Sequence, residues 1–110
     1  MSILDKITQI KFKTEAVKAD ELGDGSVIII REMTGAEQIE FSAMLKNNSE
    51  SEIDALSYAI MISLVDENNV RELSNIEEAR KVVTSLPAGL LQRLSNAIIS
   101  LNSGKAEKNL

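Results

Sequence analysis

The sequence predicts a mainly α, α+β domain: an N-terminal β-hairpin packed on a bundle of about four short helices. Three observations carry this expectation. An unbroken β-branched run, Ser26-Val27-Ile28-Ile29-Ile30-Arg31, follows a Gly23-Asp24-Gly25 turn early in the chain. Downstream, hydroxyl or amide residues stand ahead of acids at helix-cap spacing, and each such pair is followed by apolar residues at helical spacing. Aromatic residues are only 3% of the chain, so the core that joins strands to helices must be aliphatic.

Taken in order, Ile3, Leu4 and Ile7 have i, i+1, i+4 spacing, enough for a helical turn or two that docks on a partner or on the domain. Phe12-Lys13-Thr14-Glu15-Ala16-Val17-Lys18 partly alternates and reads as a first strand. The Gly23-Asp24-Gly25 turn follows, because Gly tolerates positive φ and Asp bonds to its own backbone. The run at residues 26–31 is then a second strand, covered on both faces by this chain or on its second face by another. A hairpin alone is marginal in water and needs helices behind it.

Thr34-Gly35-Ala36-Glu37 is a capping-box pattern, opening a helix that carries Ala36, Ile39, Phe41, Ala43, Met44 and Leu45 and ends in Lys46-Asn47-Asn48. Ser51 with Asp54, or Ser49 with Glu52, caps a central helix over residues 53–65. Ile53, Leu56, Ile60, Met61 and Leu64 line one side of it, and Tyr58, Ile62 and Val65 the other. A helix apolar nearly all round is buried all round. Asp66-Glu67-Asn68-Asn69 breaks the pattern, and residues 70–73 read as a short extended piece. Ser74 or Asn75, with Glu77 or Glu78, caps a helix whose stripe is Ile76, Ala79, Val82, Val83 and Leu86. Pro87 belongs in the first turn of the last helix, where its missing N–H costs nothing. There Leu90, Leu91, Leu94, Ala97, Ile98 and Leu101 face the core, and Ile99 points away. Residues 1–103 form one domain, and the polar stretch 104–110 is a flexible tail.

The composition excludes much. A length of 110 residues supports one modest core, and a net charge of −5 argues against a phosphate-binding surface. Lys6, Lys11, Lys13 and Lys18 are interleaved with Glu15, Asp20 and Glu21 and read as a solvated strand face. With no Cys and no His, thiol nucleophiles, disulfides, Cys/His zinc sites and the usual neutral-pH base are absent, and a reducing cytoplasm fits. Residues 1–8 lack a basic start followed by an apolar run, so no signal peptide is expected. The apolar stretch at residues 59–65 is far below the roughly 20 residues of a membrane helix, so a soluble protein is expected.

Chemical constellations are equally thin. The stretch from Asp66 to Glu77 has acids or amides where a calcium loop begins and ends, but Val70 and Arg71 stand where an oxygen ligand and a turn Gly are required. It reads as an ordinary helix–helix connection. Glu77 with Glu78, and Glu50 with Glu52, sit at helix starts, where the macrodipole favours negative charge. Gly23-x-Gly25 lacks the Lys and the following helix of a phosphate loop. Neither catalytic, cofactor-binding nor metal-ligating residues are expected. What remains is apolar. The Ile28-Ile29-Ile30 run reads equally as a well-packed strand or as surface for self-association or a partner's helix. Ile99 reads more readily as a stray exposed side chain than as part of that surface, and Met33, Met44 and Met61 more readily as core filling than as an adaptable interface.

The order of several short pieces adds a resemblance. Arg31-Glu32-Met33-Thr34-Gly35-Ala36-Glu37 leads to a helix with Phe41, and a central helix closes on Ser63-Leu64-Val65-Asp66-Glu67-Asn68. Ser74-Asn75-Ile76-Glu77-Glu78-Ala79 and Ser85-Leu86-Pro87 follow, and the last helix ends in Ala97-Ile98-Ile99-Ser100-Leu101-Asn102. Over residues 10–103 this chain resembles the tail assembly chaperones of long-tailed, siphovirus-type phages and prophages. Where members of that family often carry Asp-Gly in the central turn, this chain has Asn68-Asn69, and Asn also tolerates left-handed conformations.

The resemblance implies a non-catalytic protein of the host cytoplasm, absent from the finished virion. It would bind and solubilise the long, largely helical tape measure protein, help recruit the major tail protein, and self-associate, with no nucleic acid, membrane or cofactor involved. The family is commonly made in two forms, the longer by a ribosomal frameshift near the end of the short one. On this reading Ile28, Ile30, Met33, Phe41 and Ile99 are the expected contributors to protein contacts. The alternative is a small acidic helical adaptor or regulatory binding module unrelated to tail assembly.

Overall fold

The computed structural model describes residues 2–47 and 51–103. Along the chain these form α1 (Ile3–Thr8), β1 (Thr14–Lys18), β2 (Val27–Arg31), α2 (Gly35–Lys46), α3 (Glu52–Ser63), β3 (Leu64–Val65), α4 (Ile76–Ser85) and α5 (Ala88–Asn102). The expected α+β class, a hairpin against helices, is what the chain adopts. The expected end of α2 at Asn48, the alternative cap at Ser49 and the tail at 104–110 lie outside the described residues.

Cap chemistry starts the helices as the sequence predicts. Thr34 Oγ1 accepts the Glu37 N–H at 3.1 Å, and Glu37 Oε1 accepts the Thr34 N–H at 2.9 Å. Ser51 Oγ accepts the Asp54 N–H at 3.1 Å at the start of α3. Asn75 Oδ1 accepts the Glu78 N–H at 3.0 Å, while Glu78 Oε1 takes the Ser74 N–H at 2.6 Å. Each pair occupies main-chain donors that the first helical turn leaves free. Pro87 stands one residue earlier than expected, at the cap of α5 rather than within its first turn.

The hairpin has Val17 opposite Ile28 and Glu15 opposite Ile30. Its loop is longer than the Gly-Asp-Gly triplet. Ala19 donates to the Ser26 carbonyl at 2.9 Å, a 3₁₀ turn occupies Asp20–Leu22, and Asp20 Oδ1 accepts the Gly25 N–H at 3.0 Å. Gly23 and Gly25 have φ of 138° and 79°, which other residues rarely adopt.

The central helix does not run to Val65. It stops at Ser63, and Leu64–Val65 turn extended as β3, pairing antiparallel with Ile30 and Ile29. The reason lies in β2. Ser26 and Glu32 bond toward β1, so by alternation Ile30 does too, and it is half-buried Ile29 whose main-chain groups need partners on the edge that β1 leaves open. The predicted extended piece at residues 70–73 reduces to one bridge between Val65 and Arg71, helped by Glu72 N–H donating to the Leu64 carbonyl at 3.1 Å.

Pairing puts Val17, Ile28, Ile30 and Leu64 on one sheet face, Ile29 and Val65 on the other. On the first, Ile30 and Leu64 join a core with Ile60, Leu90, Leu94 and Ile98. From Asp54 onward every residue of α3 is buried or half-buried, as an all-round apolar helix requires. In α2 only Phe41 is buried, and Ile39 stands 73% exposed.

Ser63 is fully buried where α3 gives way to β3, and its Oγ has no hydrogen-bond partner. Ser63→Ala should therefore leave the urea midpoint unchanged or raise stability by about 0.5–1 kcal/mol. Leu90→Ala, which empties a well-packed core position, should cost about 2–5 kcal/mol. A large loss in the serine variant would show that the hydroxyl is satisfied after all.

Candidate functional site

The side chains expected to meet partners are divided by the fold. Ile30, Met33 and Phe41 are buried in the core. Met33 is also fixed through its main chain, whose N–H donates to Asn102 Oδ1 at the end of α5 (2.6 Å). Ile28 is half-buried, and Ile99 stands 55% exposed on α5. The structure therefore leaves Ile28 and Ile99 with surface to offer and does not bring all five together.

Ile28 belongs to a feature the sequence did not reveal. β3 is two residues long and flanks only Ile29 and Ile30, so Val27 and Ile28 run past its end with β1 as their sole neighbour strand. The gap is a groove of about 660 Å³. Val27, Ile28 and Ile29 form one wall, with Leu22 from the hairpin loop, and Leu64, Val65, Leu73, Val82 and Leu86 complete the lining. Three acids, Asp66, Glu67 and Glu72, stand among these apolar side chains. The volume falls in the range of ordinary binding clefts.

Asp66 holds the groove's margin. Its Oδ1 accepts the N–H groups of Asn68 (2.8 Å) and Val70 (3.0 Å), and Asn69 takes the left-handed φ of 65° anticipated for this turn. The carboxylate thus serves the turn, which accounts for the calcium-like spacing. Among the described residues no group of three or more acids is placed to hold a metal ion.

Behind the groove, Glu37 joins three parts of the chain. It completes the α2 cap, accepts from Arg31 Nη2 at 3.2 and 3.3 Å, and accepts from Arg71 Nη2 at 2.9 Å. Arg31 is itself buried, with Nη1 on the Glu32 carbonyl at 2.7 Å and its guanidinium over the Phe12 ring. Burial alone would raise the Glu37 carboxyl. The Thr34 N–H and the two guanidinium groups outweigh it and hold the carboxyl below its ordinary value. At the surface Arg93 pairs with Glu21, and Arg80 with Asp54, lowering both carboxyls.

A second apolar surface lies outside the groove. All residues of α1 are exposed, including Ile3 and Leu4 at about 70%, and Ile10 beyond it is exposed as well. The i, i+1, i+4 spacing was the only sequence signal of this face. Leu22, Val27 and Leu73 carried none, since nothing in a loop Leu or a strand's first Val announces a cavity. No helix among the described residues is long and apolar enough to cross a membrane.

No family model matches this chain, and no curated protein does. Among solved structures, the chain is similar to that of the bacteriophage HK97 tail assembly chaperone. The match has a TM-score of 0.57 and 18% sequence identity, and covers 86% of this chain and 89% of the other. The likeness is one of fold, and it is the fold that the short sequence pieces pointed to.

Glu37 gives this framework a pH dependence of known sign. Its folded pKa is depressed, so its stabilisation is fully present above the unfolded value near 4.5 and fades as pH falls through the folded one. Glu37→Gln should cost about 1–3 kcal/mol at pH 7, because buried Arg31 loses its anionic partner. The gap between variant and wild type should narrow in urea melts below pH 4. A constant gap would refute the assignment.

Proposed function

We propose that this protein is a non-catalytic phage tail assembly chaperone, working in the host cytoplasm. It binds and solubilises the tape measure protein and helps recruit the major tail protein. The observation that carries this reading is the fold shared with the HK97 tail assembly chaperone over most of both chains. The accessible apolar surface supports it: a groove with acids among its lining, and separate exposed patches on α1 and at Ile99.

The mechanism follows from the surface. A long helical chain presents apolar stripes that aggregate unless covered. An amphipathic helix lays such a stripe in a groove, with anchors at i, i+3 or i+4 and i+7. Small domains repeated along one client add avidity without stronger single contacts. The net charge of −5 keeps the coated complex soluble. Release then requires only that another partner, the tail tube, bury the same stripe better.

Co-expression with tape measure fragments tests this directly. The fragments should move from the pellet to the soluble fraction and co-purify with the protein. An unrelated adaptor would leave them insoluble. Ile99→Asp should retain the wild-type melting temperature within a degree or two, since the side chain is exposed, and should weaken capture of the fragment at least tenfold. Undiminished capture would remove Ile99 from the contact surface.

A further inference from the structure

We infer that the sheet-edge groove is the client seat, and that it takes an amphipathic helical segment whose aliphatic stripe is flanked by Lys or Arg. This rests on the chaperone reading and deepens it, by naming where the tape measure chain docks and which of its segments are taken.

The hydrogen bonds of β2 decide the form of the guest. Ser26 and Glu32 bond toward β1, so Ile28 does too, and beyond β3 only Val27 turns its N–H and C=O to the open side. An extended segment would gain the pairing of a single residue there. A helix satisfies its own main chain and needs only apolar walls, which Val27, Ile28, Leu73 and Val82 supply.

Charge decides which helix enters. Asp66, Glu67 and Glu72 line the groove, and no Lys or Arg does. Asp66 is engaged by its turn. Among the described residues, Arg31, Arg71, Arg80 and Arg93 each pair with an acid elsewhere, and the Glu67 and Glu72 carboxylates have no cationic partner. Two uncompensated negative charges beside an apolar wall repel an acidic helix and favour a basic one. The chain's own α1 fits poorly. It has six residues, about 9 Å of helix, so its register ends before an i+7 anchor.

Fluorescence anisotropy with two labelled synthetic helices of about 18 residues tests the assignment. Both carry the same Leu stripe at i, i+4 and i+7, one flanked by Lys and the other by Glu. Wild type should bind the Lys-flanked peptide at least tenfold more tightly, and added salt should shrink that ratio. Glu67→Lys combined with Glu72→Lys should invert the preference. Val27→Asp should weaken binding of the Lys-flanked peptide at least tenfold; Val27 is 52% exposed, so circular dichroism should be unchanged. Leu4→Asp, outside the groove, should bind as wild type does. Equal affinity for the two peptides, a preference that survives the charge reversal, or tighter binding by Leu4→Asp (which would put α1 in the groove) would each overturn the inference. So would undiminished capture of co-expressed tape measure fragments by Val27→Asp. The peptides contain no tape measure sequence, so the predicted peptide preference with no fragment captured would strike the chaperone reading and leave the groove's selectivity standing.

Discussion

Ile29 lies at the middle of the sheet and turns its main-chain N–H and C=O toward the edge of β2 that β1 leaves open, where partners must replace water. That constraint shapes much of what surrounds it. β1 serves one edge of β2, and the chain must break α3 at Ser63 to deliver Leu64 and Val65 to the other. The break carries the following turn to the sheet's border, where Asp66 folds it and Arg71 is led back to Val65. Because the demand ends where burial ends, β3 needs only two residues. The space beyond it is the groove.

Glu37 makes that arrangement one structure instead of three neighbouring ones. A single carboxylate satisfies the first turn of α2, neutralises an arginine buried at the end of β2 and ties down the arginine that follows the groove-side turn. Such a network stabilises only when all its members are present. Sheet, helix bundle and groove margin are therefore held in register by one short side chain, with Arg31 and Glu37 largely covered and Arg71 reaching in from the surface. The groove itself is lined by side chains that take no part in the network.

Much of this was legible in the residues. Caps identify themselves because hydroxyl, amide and acid must sit at fixed offsets, and Thr34-Glu37, Ser51-Asp54 and Asn75-Glu78 all do. The aliphatic stripe of α5 and the outward Ile99 follow from helical period alone. β3 was not legible, since Leu64 and Val65 continue the apolar pattern of α3, and only the unpaired edge of a distant strand makes them extended. The contact list read from sequence was caught by the same limit. A run of three isoleucines does not say which are covered, so buried Ile30 and half-open Ile28 look alike. Met33 and Phe41 face inward because β2 and α2 meet α3 and α5, a tertiary fact that no local period encodes.

The groove's lining includes no methionine; Met33 and Met44 lie elsewhere, as does Met61. Its walls are Val, Ile and Leu, side chains with few rotamers, backed by strand pairing and by the Asp66 turn. Promiscuous binders adapt through flexible thioethers, and walls of Val, Ile and Leu have less of that freedom. Walls of this kind repack little, so the shape of the cleft is set by the fold before anything enters it.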